Sequence, residues 1–244
     1  FSMIYHHYLE TSKINKISYG LLASNSHYAP NLSYNTFVPF ASIHFKRKSL
    51  RDIGGSALTA KLVSIHKENG PNTQTEEQDN YSVLNLRYTY SKPNIISGIQ
   101  YQVNTEFASN FTKLSTDLRF RRLTGKNRQL DFRFFGGLFL NNTTTGTYFS
   151  FGLDRPSDYL FEQNYFGRSE SSGIFSQQTI IADGGFKSKL PTRFANQWMS
   201  SFNASIGIWK WTEYYADVAF LKNKGERTYF SYENGIRLNF IHHI

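Results

Sequence analysis

The chain has 244 residues, enough for one large domain or one to two ordinary ones, and carries no cysteine, which excludes disulfide frameworks and thiolate metal sites. Hydrophobic residues make up 39% and the mean hydropathy is negative. No stretch approaches the roughly 20 apolar residues that a spanning helix needs; the most apolar run, Phe132 to Leu140, is broken by Arg133, Gly136 and Gly137. The net charge of +9 comes from Lys and Arg scattered on polar strand positions and in turns, which argues against nucleic-acid binding and suits contact with anionic lipid headgroups.

Residues 1–36 give no clear period. His7 and Glu10 read His-x-x-Glu there, without a third metal ligand. From Phe37 a two-residue alternation begins, with Phe37, Pro39, Ala41, Ile43 and Phe45 on one face. Pro39 predicts an irregular or edge-like start, because proline cannot donate to a ladder. A basic turn at Lys46, Arg47 and Lys48 follows, then a weaker strand over 56–65. The polar stretch 67–79 predicts a long exposed loop.

The pattern is clearest over 80–107. Leu84, Leu86, Tyr88 and Tyr90 alternate with Asn85, Arg87 and Thr89. After a short turn at 91–94, Ile99, Tyr101, Val103, Thr105 and Phe107 alternate with Gln100, Gln102, Asn104 and Glu106. Successive strand side chains point to opposite faces, so each run has one apolar and one wet face. Strands are also predicted over 112–122, 129–140 and, briefly, 147–153. Residues 154–173 are irregular. The alternation returns with Phe202, Ala204, Ile206 and Ile208, then with Tyr214, Ala216, Val218 and Phe220. A hairpin with Gly225 in the left-handed position leads to a last strand over 227–241, in which Ile236, Leu238 and Phe240 oppose Arg237 and Asn239.

These runs are longer than the five or six residues typical of soluble sheets. Segments of about ten residues, apolar on one side and polar on the other, are the signature of a transmembrane barrel. The expected fold is therefore all-β, an antiparallel transmembrane β-barrel of about 10–12 strands spanning residues 1–244, in a bacterial outer membrane. Leu84, Leu86, Tyr88, Ile99, Tyr101, Val103, Phe202, Ile206, Ile208, Ile236 and Leu238 are expected to face lipid or lipopolysaccharide. A soluble barrel would instead turn this face inward. Both chain ends look cut, so the sequence reads as a portion of something longer.

No catalytic or metal-binding residue emerges. The histidines are His6, His7, His27, His44, His66, His242 and His243, with no HExxH. A barrel-wall hydrolase would need a His–Ser or His–carboxylate pair, for instance His44 with Asp117. Residues 154–188 differ from the rest. The glycine-rich stretch 166–188 (FGRSESSGIFSQQTIIADGGFKS) reads either as an ordinary loop or as a segment folded into the lumen or docked on a partner. In the second case Arg168 would pair with Glu170 or Asp183.

That stretch, with ANQWMSSFNASIGIWKW, YADVAFLKNKG and ENGIRLNF after it, resembles the C-terminal barrel region of large M1-type (gluzincin) metallopeptidase-like proteins of Bacteroidota. The resemblance covers mainly residues 158–240. It implies an outer-membrane barrel that anchors and orients a peptidase-like domain, in the same chain or in an outer-membrane complex. Any zinc would belong to that other domain, and this chain would need no cofactor and would not itself be catalytic. A solute channel is the rival reading.

Overall fold

A computed structural model describes residues 1–9, 13–29, 32–47, 53–69, 80–94, 96–125, 128–155, 157–162, 182–209 and 211–238. Among them there is no helix. The strands are β1 (Ser2–Tyr8), β2 (Ile14–Ala29), β3 (Leu32–Phe45), β4 (Gly55–Asn69), β5 (Asn80–Lys92), β6 (Ser97–Ala108), β7 (Phe111–Leu123), β8 (Gln129–Asn142), β9 (Phe151–Gly152), β10 (Phe194–Ala195), β11 (Trp198–Trp209), β12 (Thr212–Lys222) and β13 (Tyr229–Leu238). All but β9 and β10 form one antiparallel sheet of 11 strands, each beside its predecessor except where β11 follows β8. This is the expected all-β class and strand number, with β1 and β13 as the two edges.

The register keeps each alternating run in phase with its neighbours. Val103 pairs with Tyr88 on one side and Thr116 on the other; Phe202 pairs with Phe134 and Val218. One face of the sheet is thus a continuous apolar surface. The other carries Asn85, Asn104, Glu106, Lys113, Ser201, Asp217 and Glu233, all buried. The described residues of 143–162 and 182–197, which hold the small β9–β10 pair, pack against that second face. Their Phe149, Phe151, Leu153, Tyr159 and Phe186 join one buried cluster with Tyr34 of β3, Val63 and Ile65 of β4, Val83 of β5, Phe111 of β7, Phe135 and Phe139 of β8, Met199 of β11 and Leu221 of β12. The cluster thus draws on strands from β3 to β12 along the second face of the open sheet.

Several local expectations change. Residues 1–36, which lack a legible period, form β1, β2 and the start of β3. Lys67 to Asn69 extend β4 rather than begin a loop, because they pair with Leu32 to Tyr34; residues 70–79 lie outside the described residues. Pro39 sits in the middle of β3. It pairs with Leu21 on the β2 side, while the β4 ladder passes over Val38 and Pro39 between the Phe37–Ser64 and Phe40–Lys61 pairs. The missing N–H falls on the side where pairing is interrupted. Of the expected strand over 147–153 only Phe151–Gly152 is a strand, since its partner is the short β10 rather than a long neighbour. Gly225 adopts φ +80°, as the hairpin expectation required.

Candidate functional site

Buried charged side chains gather where the described residues of 143–162 and 182–197 meet the sheet. Glu106 of β6 and Lys113 of β7 are cross-strand partners. The Tyr159 hydroxyl donates to Glu106, and the Lys113 ammonium donates to the same hydroxyl at 2.9 Å. Behind Glu106, Asn104 donates to its second oxygen at 2.7 Å, and Asn85 donates to Asn104 at 2.9 Å. The ammonium of Lys113 also lies 4.5 Å from the Tyr159 ring centroid, 4.6 Å from that of Phe151 and 5.0 Å from that of Phe139. Aromatic faces and a carboxylate together compensate the lost hydration of this cation. Burial, reinforced by the Glu106 charge, pushes the Tyr159 hydroxyl well above its ordinary range, so it stays a neutral donor.

Two further clamps hold the segment. Glu162 accepts from Lys61 of β4 at 2.9 Å and from Arg87 of β5 at 2.6 Å. Enclosure raises its carboxyl, but the Arg87 and Lys61 charges outweigh that and hold it below its ordinary value. The residue before it, Phe161, has φ 52° and packs 5.0 Å from the Tyr34 ring. Left-handed backbone is uncommon for an aromatic residue. Here the Phe161 N–H bonds the Asp158 carbonyl at 3.2 Å and the Glu162 N–H bonds the Asp158 carboxylate at 3.0 Å, which fixes the turn. At the other end of the segment, Lys187 forms an ion pair with Asp217 of β12. Its backbone N–H and that of Ser188 donate to Glu233 of β13 at 2.7 and 2.8 Å. Lys187 also lies 4.2 Å from the Tyr215 ring, which covers Gly235 on the neighbouring strand.

Between these clamps the contact is shaped by missing side chains. A Cβ on Gly137 of β8 would stand 2.6 Å from the Phe151 ring, and one on Gly184 would stand 2.4 Å from Leu153. Arg133 of β8 holds Asp117 at 2.7 Å and reaches the Ala182 carbonyl at 3.4 Å, while Asn203 of β11 donates to the Gly184 carbonyl at 3.1 Å.

Of the residues expected to position this segment, Arg168 and Glu170 lie outside the described residues. Asp183 accepts from the Gly152 N–H at 3.0 Å. Burial pushes its carboxyl up, with Lys113, that N–H and Arg133 opposing. The sequence reading missed Glu162, Tyr159 and Lys187, because each is recognisable only beside its partner on a distant strand. The eleven residues expected on the apolar surface all lie on the face away from the segment. Leu84, Leu86, Val103, Phe202, Ile206, Ile208, Ile236 and Leu238 are exposed, and Tyr88, Ile99 and Tyr101 half-buried.

His44 does not meet Asp117: one is on β3 and the other on β7, held by Arg119 and Arg133. Two His–Ser contacts do occur. His6 is 2.8 Å from the Ser18 hydroxyl and His44 3.4 Å from that of Ser42. Ser18 and Ser42 are buried. Neither pair has the oriented base and accessible nucleophile that acyl transfer requires. No group of three or more His, Asp or Glu side chains able to hold a metal occurs among the described residues. In comparison with known proteins, the chain matches no family model and no curated protein.

Proposed function

We propose that the chain is a bacterial outer-membrane β-barrel, with residues 143–155, 157–162 and 182–197 packed inside it, that anchors and orients a peptidase-like domain or surface assembly. The observation that carries the membrane reading is the inversion of polarity. Large apolar residues occupy the uncovered face of every strand from β4 to β8 and from β11 to β13, whereas Asn85, Glu106, Lys113 and Asp217 are buried on the other. Water-soluble monomers rarely expose an apolar surface so extensive, and lipid is its natural solvent. A soluble ligand-binding barrel would require the opposite arrangement.

The anchoring role is supported by the filled interior. A solute channel needs an open polar lumen, and here Tyr159, Glu162 and Lys187 fasten a segment across it. The peptidase-like partner rests on the resemblance of residues 158–240. In that reading zinc and catalysis belong to the partner domain, while lipid and lipopolysaccharide meet the apolar face. The basic residues Lys61, Arg87, Arg133 and Lys187 are engaged by interior carboxylates, an arrangement unsuited to nucleic acid.

The test is fractionation of the full-length protein from its native membrane, followed by gel migration in detergent with and without boiling. Extraction by detergent alone, with a compact form that shifts on boiling, is expected. A monodisperse protein in the aqueous fraction would refute the reading. Planar-bilayer recording separates anchor from channel: steady solute conductance by the purified protein would favour the channel.

A further inference from the structure

The apolar face of the sheet changes chemistry towards one end of β2 to β5. Leu62 of β4 and Leu84 of β5 pair in register and are exposed on that face. Strand side chains repeat every two residues, so Ser64 and Ser82 share the face with them, about 7 Å further along. The two serines also pair, and their hydroxyls bond at 3.0 Å. Their row continues through Phe37 of β3 and Ala23 of β2. It ends at Phe1, whose backbone N–H donates to the Ala23 carbonyl at 2.8 Å and whose carbonyl accepts from the Ala23 N–H at 2.9 Å. The small Ala23 side chain thus lies between two exposed rings, Phe1 and Phe37. The next row reads Asn25, Asn35, His66 and Asn80, and Asn25 donates to Asn35 at 2.6 Å.

A groove of about 760 Å³ follows these two rows, and no Lys, Arg, Asp or Glu side chain lines it. Lys61, Arg87, Arg133 and Lys187 are turned to the interior, where carboxylates engage them. The groove therefore offers amides, hydroxyls and one imidazole beside two aromatic rings. Phosphate is held best by charged donors, which are absent from this lining. A sugar has the matching chemistry: adjacent hydroxyls that both donate and accept, and C–H faces that lie against aromatic rings. The bonded serine pair retains one O–H to donate further.

We propose that this groove holds the uncharged sugar headgroup of a membrane glycolipid, with its acyl chains on Leu62 and Leu84. The inference rests on the membrane-barrel reading, which puts lipid against those leucines. The apolar and hydrogen-bonding rows adjoin on the same two strands, so one amphipathic molecule covers both. A water-soluble sugar would leave the leucines bare, and a phospholipid would bring its phosphate to a lining without Lys or Arg.

The test uses the full-length protein extracted from its native membrane, delipidated by detergent exchange and selected as the heat-modifiable species. Native mass spectrometry compares retention of glucosyl and galactosyl diacylglycerol with that of phosphatidylglycerol carrying the same acyl chains. A glycosyl lipid is expected to bind about tenfold more tightly than the phospholipid. Ser82→Ala and, separately, Phe37→Ala should each weaken it about three- to tenfold, the worth of one hydrogen bond or ring contact. Asn25→Ala serves as a further variant if either does not assemble. Equal retention of phosphatidylglycerol, retention of neither glycosyl lipid, or wild-type binding by the variants would overturn the proposal. Displacement of the lipid by excess methyl glucoside would overturn it in favour of a soluble sugar. Absence of any heat-modifiable, membrane-extracted species would instead overturn the barrel reading beneath it.

Discussion

The Tyr159 hydroxyl and the Lys113 ammonium meet at 2.9 Å inside the sheet, one of several contacts that join the inner segment to the wall. Lys113 is 3% exposed and its cross-strand neighbour Glu106 is 6% exposed, so the tyrosine bridges two buried groups of opposite charge. The charges are arranged for each other, and neither is tolerable alone.

Lys113→Met should therefore be among the most damaging interior substitutions. It leaves Glu106 without its cation, and breaking a buried pair costs about 3–5 kcal/mol. The double variant Lys113→Met with Glu106→Gln should recover a large part of that loss. Urea unfolding in detergent, followed by tryptophan fluorescence, measures both. Equal destabilisation by the single and double variants would show that the pair is not the cause.

Gly137 should not accept a methyl group. Its Cβ would press on the Phe151 ring, which is itself held 5.8 Å from Phe135 and 5.1 Å from Phe139. Overpacking of this kind costs about 1–3 kcal/mol. Adding Phe151→Ala should suppress the clash and leave only the cost of the cavity. The natural chain has no cysteine, so a thiol placed at Ser157 reports how readily the segment leaves the wall. Labelling should quicken in Gly137→Ala. An unchanged rate would mean that the ring moves aside freely.

On the apolar face, Val103→Arg distinguishes a lipid surface from a water-exposed one. Val103 is 39% exposed and pairs with Tyr88 and Thr116 midway along its strand. In water such a change falls within about 0.5 kcal/mol. In a bilayer midplane it costs about 2–4 kcal/mol. A variant assembled and unfolded in lipid vesicles should show the larger loss. A neutral result would speak against lipid at this position.

Acid should loosen the Glu162 clamp. The folded carboxyl is held below its unfolded value by Arg87 and Lys61, after burial has raised it in part. Its contribution is therefore complete above the unfolded glutamate value of about 4.3 and lost as pH falls through the lower, folded one. Asp183 has the opposite sign: burial raises its carboxyl, so protonation in acid relieves a cost. Glu162→Gln isolates the first effect. Labelling of the Ser157 thiol should be faster than wild type at neutral pH and should lack the acid-dependent rise. Identical pH profiles for wild type and variant would remove Glu162 from the account.

The strands between Asn80 and Asn142 were legible from sequence because alternation is a local property: Leu84, Leu86 and Tyr88 share a face whatever they pair with. The same logic placed Val103, Phe202 and Ile236 on one surface and anticipated the left-handed Gly225. The first 36 residues were not legible, since β2 mixes serines, glycine and leucines without a clean period and takes its order from pairing with β1 and β3.

Alternation by itself distinguishes two faces and determines that apolar and polar residues are segregated; it does not determine which face is covered. That was decided by the tertiary structure, through long-range contacts that no spacing encodes. Glu162 meets Lys61 across 101 residues, and Tyr159 meets Glu106 across 53. These contacts bring the residues around Tyr159 and Glu162 onto the polar face and leave the apolar one bare. Ladder geometry is set by neighbours in the chain. The choice of interior is set by which buried charges find partners, and those partners converge only when the segment packs on the sheet.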